Sequence, residues 1–147
     1  VASLKAVLAN NPSARVVSNS SVGKILAAEG IAHEILEGTS TMGHAGLSIE
    51  ACDGKHEEIF EELGQVQNTG YMLGGAFYYP GDSFTAIGKP VDVLALPVAG
   101  PWCKIPDAIR FALAVVPRVA FPVHDGVLKY PAMGSTALGK VLPEQGC

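Results

Sequence analysis

Cysteine is scarce in this chain. Cys52, Cys103 and Cys147 are three, widely spaced, and form no CxxC pair. An odd, dispersed set excludes a disulfide framework or a structural zinc knuckle, and reduced thiols in a cytoplasm are the expectation. Basic clusters are missing as well. With a formal net charge of −4 and no run of Lys or Arg to neutralise phosphates, neither nucleic acid nor an anionic membrane is expected as a partner. No apolar run approaches the roughly 20 residues needed to cross a bilayer. The start, Val1-Ala2-Ser3-Leu4-Lys5, has no charged segment leading into an apolar one, so no signal peptide is read there. Charged residues make up only 16%, too few for a disordered chain. Hydrophobic residues make up 48% of 147, enough for the core of one domain spanning 1–147.

What is present alternates between helix and strand signals. Residues 3–10 space Leu4, Val7 and Leu8 as a short amphipathic helix, stopped by Asn10-Asn11-Pro12. Residues 14–18 predict a buried strand. Ser21 is placed to cap a helix over 22–29, and Gly30 stands where a C-terminal glycine belongs. Residues 31–36 predict a second strand. Such strand–helix–strand units usually build parallel sheet. Residues 38–46 read as a Gly/Ser/Thr-rich loop, 47–52 as a half-buried strand, and Asp53-Gly54 as a turn. Residues 69–73 and 76–79 are strand-like and separated by Gly74-Gly75, a hairpin signal. Residues 91–98 predict a buried strand. Pro106 suits a first helical position, and Ile105, Ile109, Leu113 and Val116 form an apolar stripe ending at Pro117. Residues 118–123 predict the last strand. The expected architecture is α/β layering, with one mixed or antiparallel sheet covered by helices on its outer face.

Three ligand-capable residues stand just past apolar strand-like runs: His56, Asp82 and His124. Loops at strand ends are where open α/β folds put function. Two imidazoles and a carboxylate are a sensible zinc donor set with room left for water. Each also has a plainer reading, as a surface or capping His, a turn Asp in Gly-Asp-Ser, or a turn His before Asp-Gly. His33, inside a predicted strand, and His44, in the Gly-rich loop, are poorer candidates. Trp102 beside Gly100-Pro101 reads as a packing or pocket-wall residue. Cys103 has no His in sequence poised to activate it.

The order of segments carries more than any one of them. Phe77-Tyr78-Tyr79-Pro80-Gly81-Asp82-Ser83-Phe84, then Pro90-Val91-Asp92-Val93-Leu94-Ala95-Leu96-Pro97-Val98-Ala99-Gly100-Pro101, then Phe121-Pro122-Val123-His124, resembles the metallo-β-lactamase superfamily. It is most similar to the broad group of ascorbate-phosphate-lactonase-like hydrolases. The resemblance implies a partial αββα sandwich. It implies that His56 is a first-metal ligand, Asp82 the carboxylate bridging two metals, and His124 a second-metal ligand. It also implies a divalent metal, zinc above all, and metal-bound hydroxide attacking a lactone, ester, amide or phosphoester in a small-molecule substrate. The family's HxHxDH motif, which supplies four further ligands, has no counterpart here. The helix at 3–10 resembles the one that follows that motif, so the N-terminal strands are expected to be missing too.

Two consequences follow. The isolated chain is expected to bind metal weakly or not at all. The uncovered inner face of the sandwich is expected to drive homo-oligomer formation. The chain enters helix-like sequence at once and ends at Gly146-Cys147 soon after an apolar segment, as expected of a piece of something longer. Two functions stay open: a metal-dependent hydrolase or part of one, and a non-catalytic binding or oligomerisation domain that keeps the fold. An in-frame HxHxDH upstream of Val1 would distinguish them.

Overall fold

The computed structural model describes residues 1–130 and 132–142. Cys147, expected as a reduced thiol, lies outside the described residues, while Cys52 and Cys103 are both free. Helix α1 (Ala2–Asn10) opens the chain. Strand β1 (Val17–Ser18), helix α2 (Ser20–Ala28) and strand β2 (Glu34–Ile35) follow, and the two strands pair in parallel. Both strands are shorter than their apolar runs predict. Strand assignment needs a partner in register, and only Val17–Ser18 and Glu34–Ile35 face one another. Asn19, not Ser21, caps α2, its Oδ1 accepting from the Val22 N–H at 2.9 Å.

Glu37 ties this unit to the main sheet. Its carboxylate accepts from the Ser20 N–H at 2.8 Å and from Gln67 Nε2 at 2.7 Å. The bond from the Ser20 main chain, then that from Gln67, holds its pKa below the ordinary 4.5. A lowered folded value gives stability that is present above the unfolded pKa and is lost as pH falls through the folded one. The stability gap between wild type and Glu37→Gln in urea titrations is therefore expected to narrow from neutral pH into acid. A gap that stays constant with pH would contradict this role.

The main sheet has six strands in the order β3 (Thr41–His44), β4 (Leu47–Lys55), β5 (Gln67–Leu73), β6 (Phe77–Tyr79), β7 (Val93–Pro97) and β8 (Val119–Val123). Strands β3 to β6 pair antiparallel, and β6, β7 and β8 run parallel. Two expectations are corrected here. The stretch 38–46 is not all loop, because Thr41–His44 pairs with Leu47–Glu50 of β4 across an Ala45-Gly46 turn. Asp53-Gly54 is not a turn but lies inside β4, opposite Thr69 and Asn68. Glycine suits position 54 because a Cβ there would meet Thr85 Oγ1 at 2.3 Å.

Helices α3 (Ile105–Val115) and α4 (Ala132–Val141) cover one face of the sheet. The core lies between them: Met72, Tyr78, Leu94 and Leu96 from the strands, Ala108, Phe111 and Ala112 from α3, and Leu138 and Leu142 from the last segment. The face α3 buries differs from the expected stripe. Ala108 and Ala112 are small enough to let the helix lie close to the sheet, while Ile105, Ile109 and Leu113 pack at its margin. Val116 is left-handed at φ 51 and exposed, because it ends the helix rather than extending its apolar side. Strand alternation puts Phe77, Val119 and Phe121 on the opposite face, with the two Phe rings stacked at 6.1 Å. Val119 and Phe121 remain 44% and 41% exposed there.

Candidate metal centre

The end of β6 builds the centre of the site. Pro80 and Gly81 turn the chain, with Gly81 at φ 71. The buried Asn68 carboxamide clamps this turn from β5, its Nδ2 donating to the Pro80 carbonyl at 2.8 Å and its Oδ1 accepting from the Asp82 N–H at 2.9 Å. The Asp82 carbonyl in turn accepts from the Glu57 N–H at 2.8 Å. Three elements thus fix the Asp82 backbone and leave its carboxylate free to project.

His56 leaves the end of β4 and His124 leaves the end of β8. The structure brings both to Asp82. His56 Nε2 lies 3.1 Å from Asp82 Oδ2, and His124 Nδ1 lies 3.3 Å from Asp82 Oδ1. Each imidazole therefore has its own carboxylate oxygen. His124 sits at φ 69, a left-handed conformation that His tolerates better than most residues. Among the described residues, no group of three or more His, Cys, Asp and Glu side chains is disposed around one point to hold an ion. The arrangement is two His–Asp82 pairs sharing a carboxylate.

His33 and His44 lie elsewhere. His33 Nδ1 faces the Ile31 carbonyl at 3.0 Å, just ahead of β2. His44 ends β3, and its Nδ1 lies 3.0 Å from the Arg15 guanidinium. Burial, with Asp107 and Glu57 nearby, pushes the Cys103 thiol up to about 11, which suits an inert thiol.

Two neighbours escaped the sequence reading, and a third was anticipated by it. Tyr79 Oη lies 3.0 Å from His124 Nε2. Burial, and then the negative charge of Asp82, raises the Tyr79 pKa, so its hydroxyl stays protonated at neutral pH. Strand parity held the signal, since Tyr78 points into the core and Tyr79 must point away from it. Asn68 gave none, because its role depends on cross-strand register. Trp102, expected as a pocket wall, stands edge-on to both imidazoles, with ring centroids 6.0 Å from His56 and 6.2 Å from His124. His56, Asp82, Tyr79, Asn68, Gln67 and Ser18 border an open cleft of about 360 Å³.

The residue types are those of a cation site, but among the described residues they are not gathered around one point. His56 faces an acceptor at each ring nitrogen, the Glu57 carbonyl 2.6 Å from Nδ1 and Asp82 Oδ2 3.1 Å from Nε2. A neutral imidazole carries one proton and can donate to only one of them. A ligating His whose other nitrogen is fixed by a main-chain carbonyl is a common zinc arrangement.

The family model described as a beta-lactamase superfamily domain matches residues 8–124. The chain belongs to that superfamily. Protein Rv0786c of Mycobacterium tuberculosis (strain ATCC 25618 / H37Rv) is 34% identical over 115 residues, covering 69% of this chain and 54% of the relative. The chain thus spans about half the length of the curated relative it matches. Igni18, a metallo hydrolase from the hyperthermophilic archaeon Ignicoccus hospitalis KIN4/I, superposes with a TM-score of 0.67 at 16% identity. That match covers 93% of this chain and 65% of Igni18. A metallo-beta-lactamase superfamily structure from Thermotoga maritima matches with a TM-score of 0.50 at 17% identity, over 75% of this chain and 59% of that one. At these identities the likeness is one of fold. The mixed α/β architecture is that of the metallo-β-lactamase superfamily, whose members are metal-dependent, typically on zinc. No helix among the described residues is long and apolar enough to cross a membrane.

Proposed function

We propose that this beta-lactamase superfamily domain carries part of the metal site of a hydrolase acting on an ester, lactone, amide or phosphoester of a small molecule. The observation that carries the reading is the Asp82 carboxylate standing between two imidazoles, one per oxygen, at 3.1 and 3.3 Å. His56, Asp82 and His124 are the residues that would hold the metal. Metal ions bound there would supply an activated water and polarise the scissile bond. This chain's own residues orient that chemistry. Glu57 and Asn68 fix the ligand-bearing loop, and Trp102 walls one side of the two rings. The remaining ligands of such a site would come from sequence outside these 147 residues, a reading supported by the 54% share of the mycobacterial relative. The free Cys52 and Cys103 support a reducing cytoplasm as its compartment.

Calorimetric titration tests this. Weak, saturable zinc binding is expected for the chain alone, and its loss in a His56→Ala/His124→Ala double variant. Binding that ignores both substitutions, or sub-micromolar affinity from so few ligands, would overturn the assignment.

The exposed Val119 and Phe121 support association into homo-oligomers through the sheet face opposite the helices. Sedimentation at micromolar concentration is expected to show species larger than a monomer, and Phe121→Lys is expected to shift them toward monomer. A clean wild-type monomer would refute this.

A further inference from the structure

The cleft of about 360 Å³ beside Asp82 is lined mostly by polar residues, among them the buried Asn68 and Thr69, while the exposed Val22 stands at its margin. Segment 57–66 is strung between two residues of the cleft wall, His56 and Gln67, so it lies at the rim. The segment is tied down. The Glu57 N–H donates to the Asp82 carbonyl at 2.8 Å, Gln65 Nε2 donates to the His56 carbonyl, and Glu61–Leu63 form a single 3₁₀ turn. Ile59, Phe60, Leu63 and Val66 are nevertheless between 48% and 67% exposed. Single exposed apolar residues are ordinary. Four large ones within eight consecutive positions leave an apolar surface in water, which marks a contact site. Glu57, Glu58, Glu61 and Glu62 stand among them, and no Lys or Arg occurs from residue 56 to residue 88.

We propose that the ligand of this cleft is an uncharged amphiphile, with a polar end among the hydrogen-bonding groups of the cleft and an apolar chain lying against Ile59, Phe60, Leu63 and Val66. Polar wall groups fix the orientation of such a ligand, and the apolar rim takes its chain out of water. The ligand is uncharged for two reasons. Four glutamates with no basic residue among them repel an anion. Apolar side chains leave a charge of either sign without compensation for its lost water. That the polar end is a scissile ester, lactone or amide rests on the hydrolase reading above, and the apolar chain does not.

A series of γ-lactones tests this, with one polar end and a growing neutral chain. The metal-free, nitrogen-15-labelled protein is titrated with γ-butyrolactone, γ-octalactone and γ-dodecalactone, and the amide shifts of residues 57–66, Thr69 and Gly81 report binding. Affinity is expected to rise roughly 2-fold per added methylene, less than full burial gives because one side of the chain stays in water. Octanoate, matched in carbon number to γ-octalactone, is expected to bind several-fold more weakly. The exposed Phe60 and Leu63 allow a double variant, Phe60→Ser/Leu63→Ser. It is expected to keep the wild-type melting temperature and γ-butyrolactone affinity and to lose the dependence on chain length. Wild-type affinity that is flat along the series, or no binding of any lactone, overturns the proposal without recourse to a variant. Octanoate binding as tight as that of γ-octalactone overturns the uncharged ligand. A length dependence that the double variant keeps would put the chain elsewhere and overturns the role of the rim. Shifts in 57–66 that follow protein concentration with no lactone present, and vanish in the double variant, would assign these side chains to a second copy of the chain and overturn it as well. The metal-site reading fails separately, by zinc binding that ignores His56→Ala/His124→Ala, and the lactone series stands or falls without it.

Discussion

Asp82→Ala is expected to weaken zinc binding by more than about 100-fold, beyond the 10- to 100-fold typical of residues that only support a ligand. The size follows from position. Asp82 offers one oxygen to each of the two imidazoles, so its loss takes a donor from each pair at once. The substitution should spare the loop. The bonds that hold residue 82 run through its own N–H to Asn68 and its own carbonyl from Glu57, and alanine keeps both. Trp102 makes the measurement direct. It is the single tryptophan of the chain and stands about 6 Å from each imidazole, so its fluorescence reports on the site alone. A zinc response that survives in Asp82→Ala, with the melting temperature unchanged, would place the metal elsewhere.

Gly81→Ala is expected to lower the unfolding free energy by about 2–4 kcal/mol, combining left-handed strain with loss of buried hydrogen bonds. At φ 71 a side chain is strained whatever surrounds it, and a Cβ here would also meet Asn68 Oδ1 at 2.4 Å. Asn68 cannot withdraw without releasing Pro80 and Asp82. Gly88→Ala separates the two causes. Gly88 has the same φ of 71, but an added methyl would meet nothing within 4 Å, so only the strain of about 1–2 kcal/mol is expected there. Equal losses at the two positions in urea denaturation would show that the Asn68 clamp carries no weight. A larger loss at Gly81, together with weaker zinc binding, would confirm that the clamp aims the Asp82 carboxylate.

Much of the candidate site was legible because its residues follow a local rule. An apolar run that stops at a polar, ligand-capable residue marks a strand end, and Asp82 and His124 both stand there. What stayed hidden depends on partners far along the chain. The ladder that makes Thr41–His44 a strand is supplied by β4, and glycine-rich composition masked it. Asp53-Gly54 has the composition of a turn, yet pairing with Asn68 and Thr69 keeps it extended. Ser21 and Asn19 are both good caps by type, and only the geometry of the chain entering α2 selects Asn19. The buried side of α3 could not be read from its largest apolar residues, because close approach to the sheet favours Ala108 and Ala112 over Ile109 and Leu113.

The amino-acid order alone determined the alternation of strands and helices, the place of the Gly-Asp loop and the absence of an HxHxDH motif, since each depends on neighbours within a few residues. Tertiary structure decided which oxygen of Asp82 faces which imidazole, that Tyr79 borders the candidate site, and that Val119 and Phe121 stay exposed on the sheet face opposite the helices. Those outcomes depend on strand register and on the angles at which distant segments meet. Hydrogen-bond pairing across the sheet sets both, and a linear pattern of residue types does not encode them.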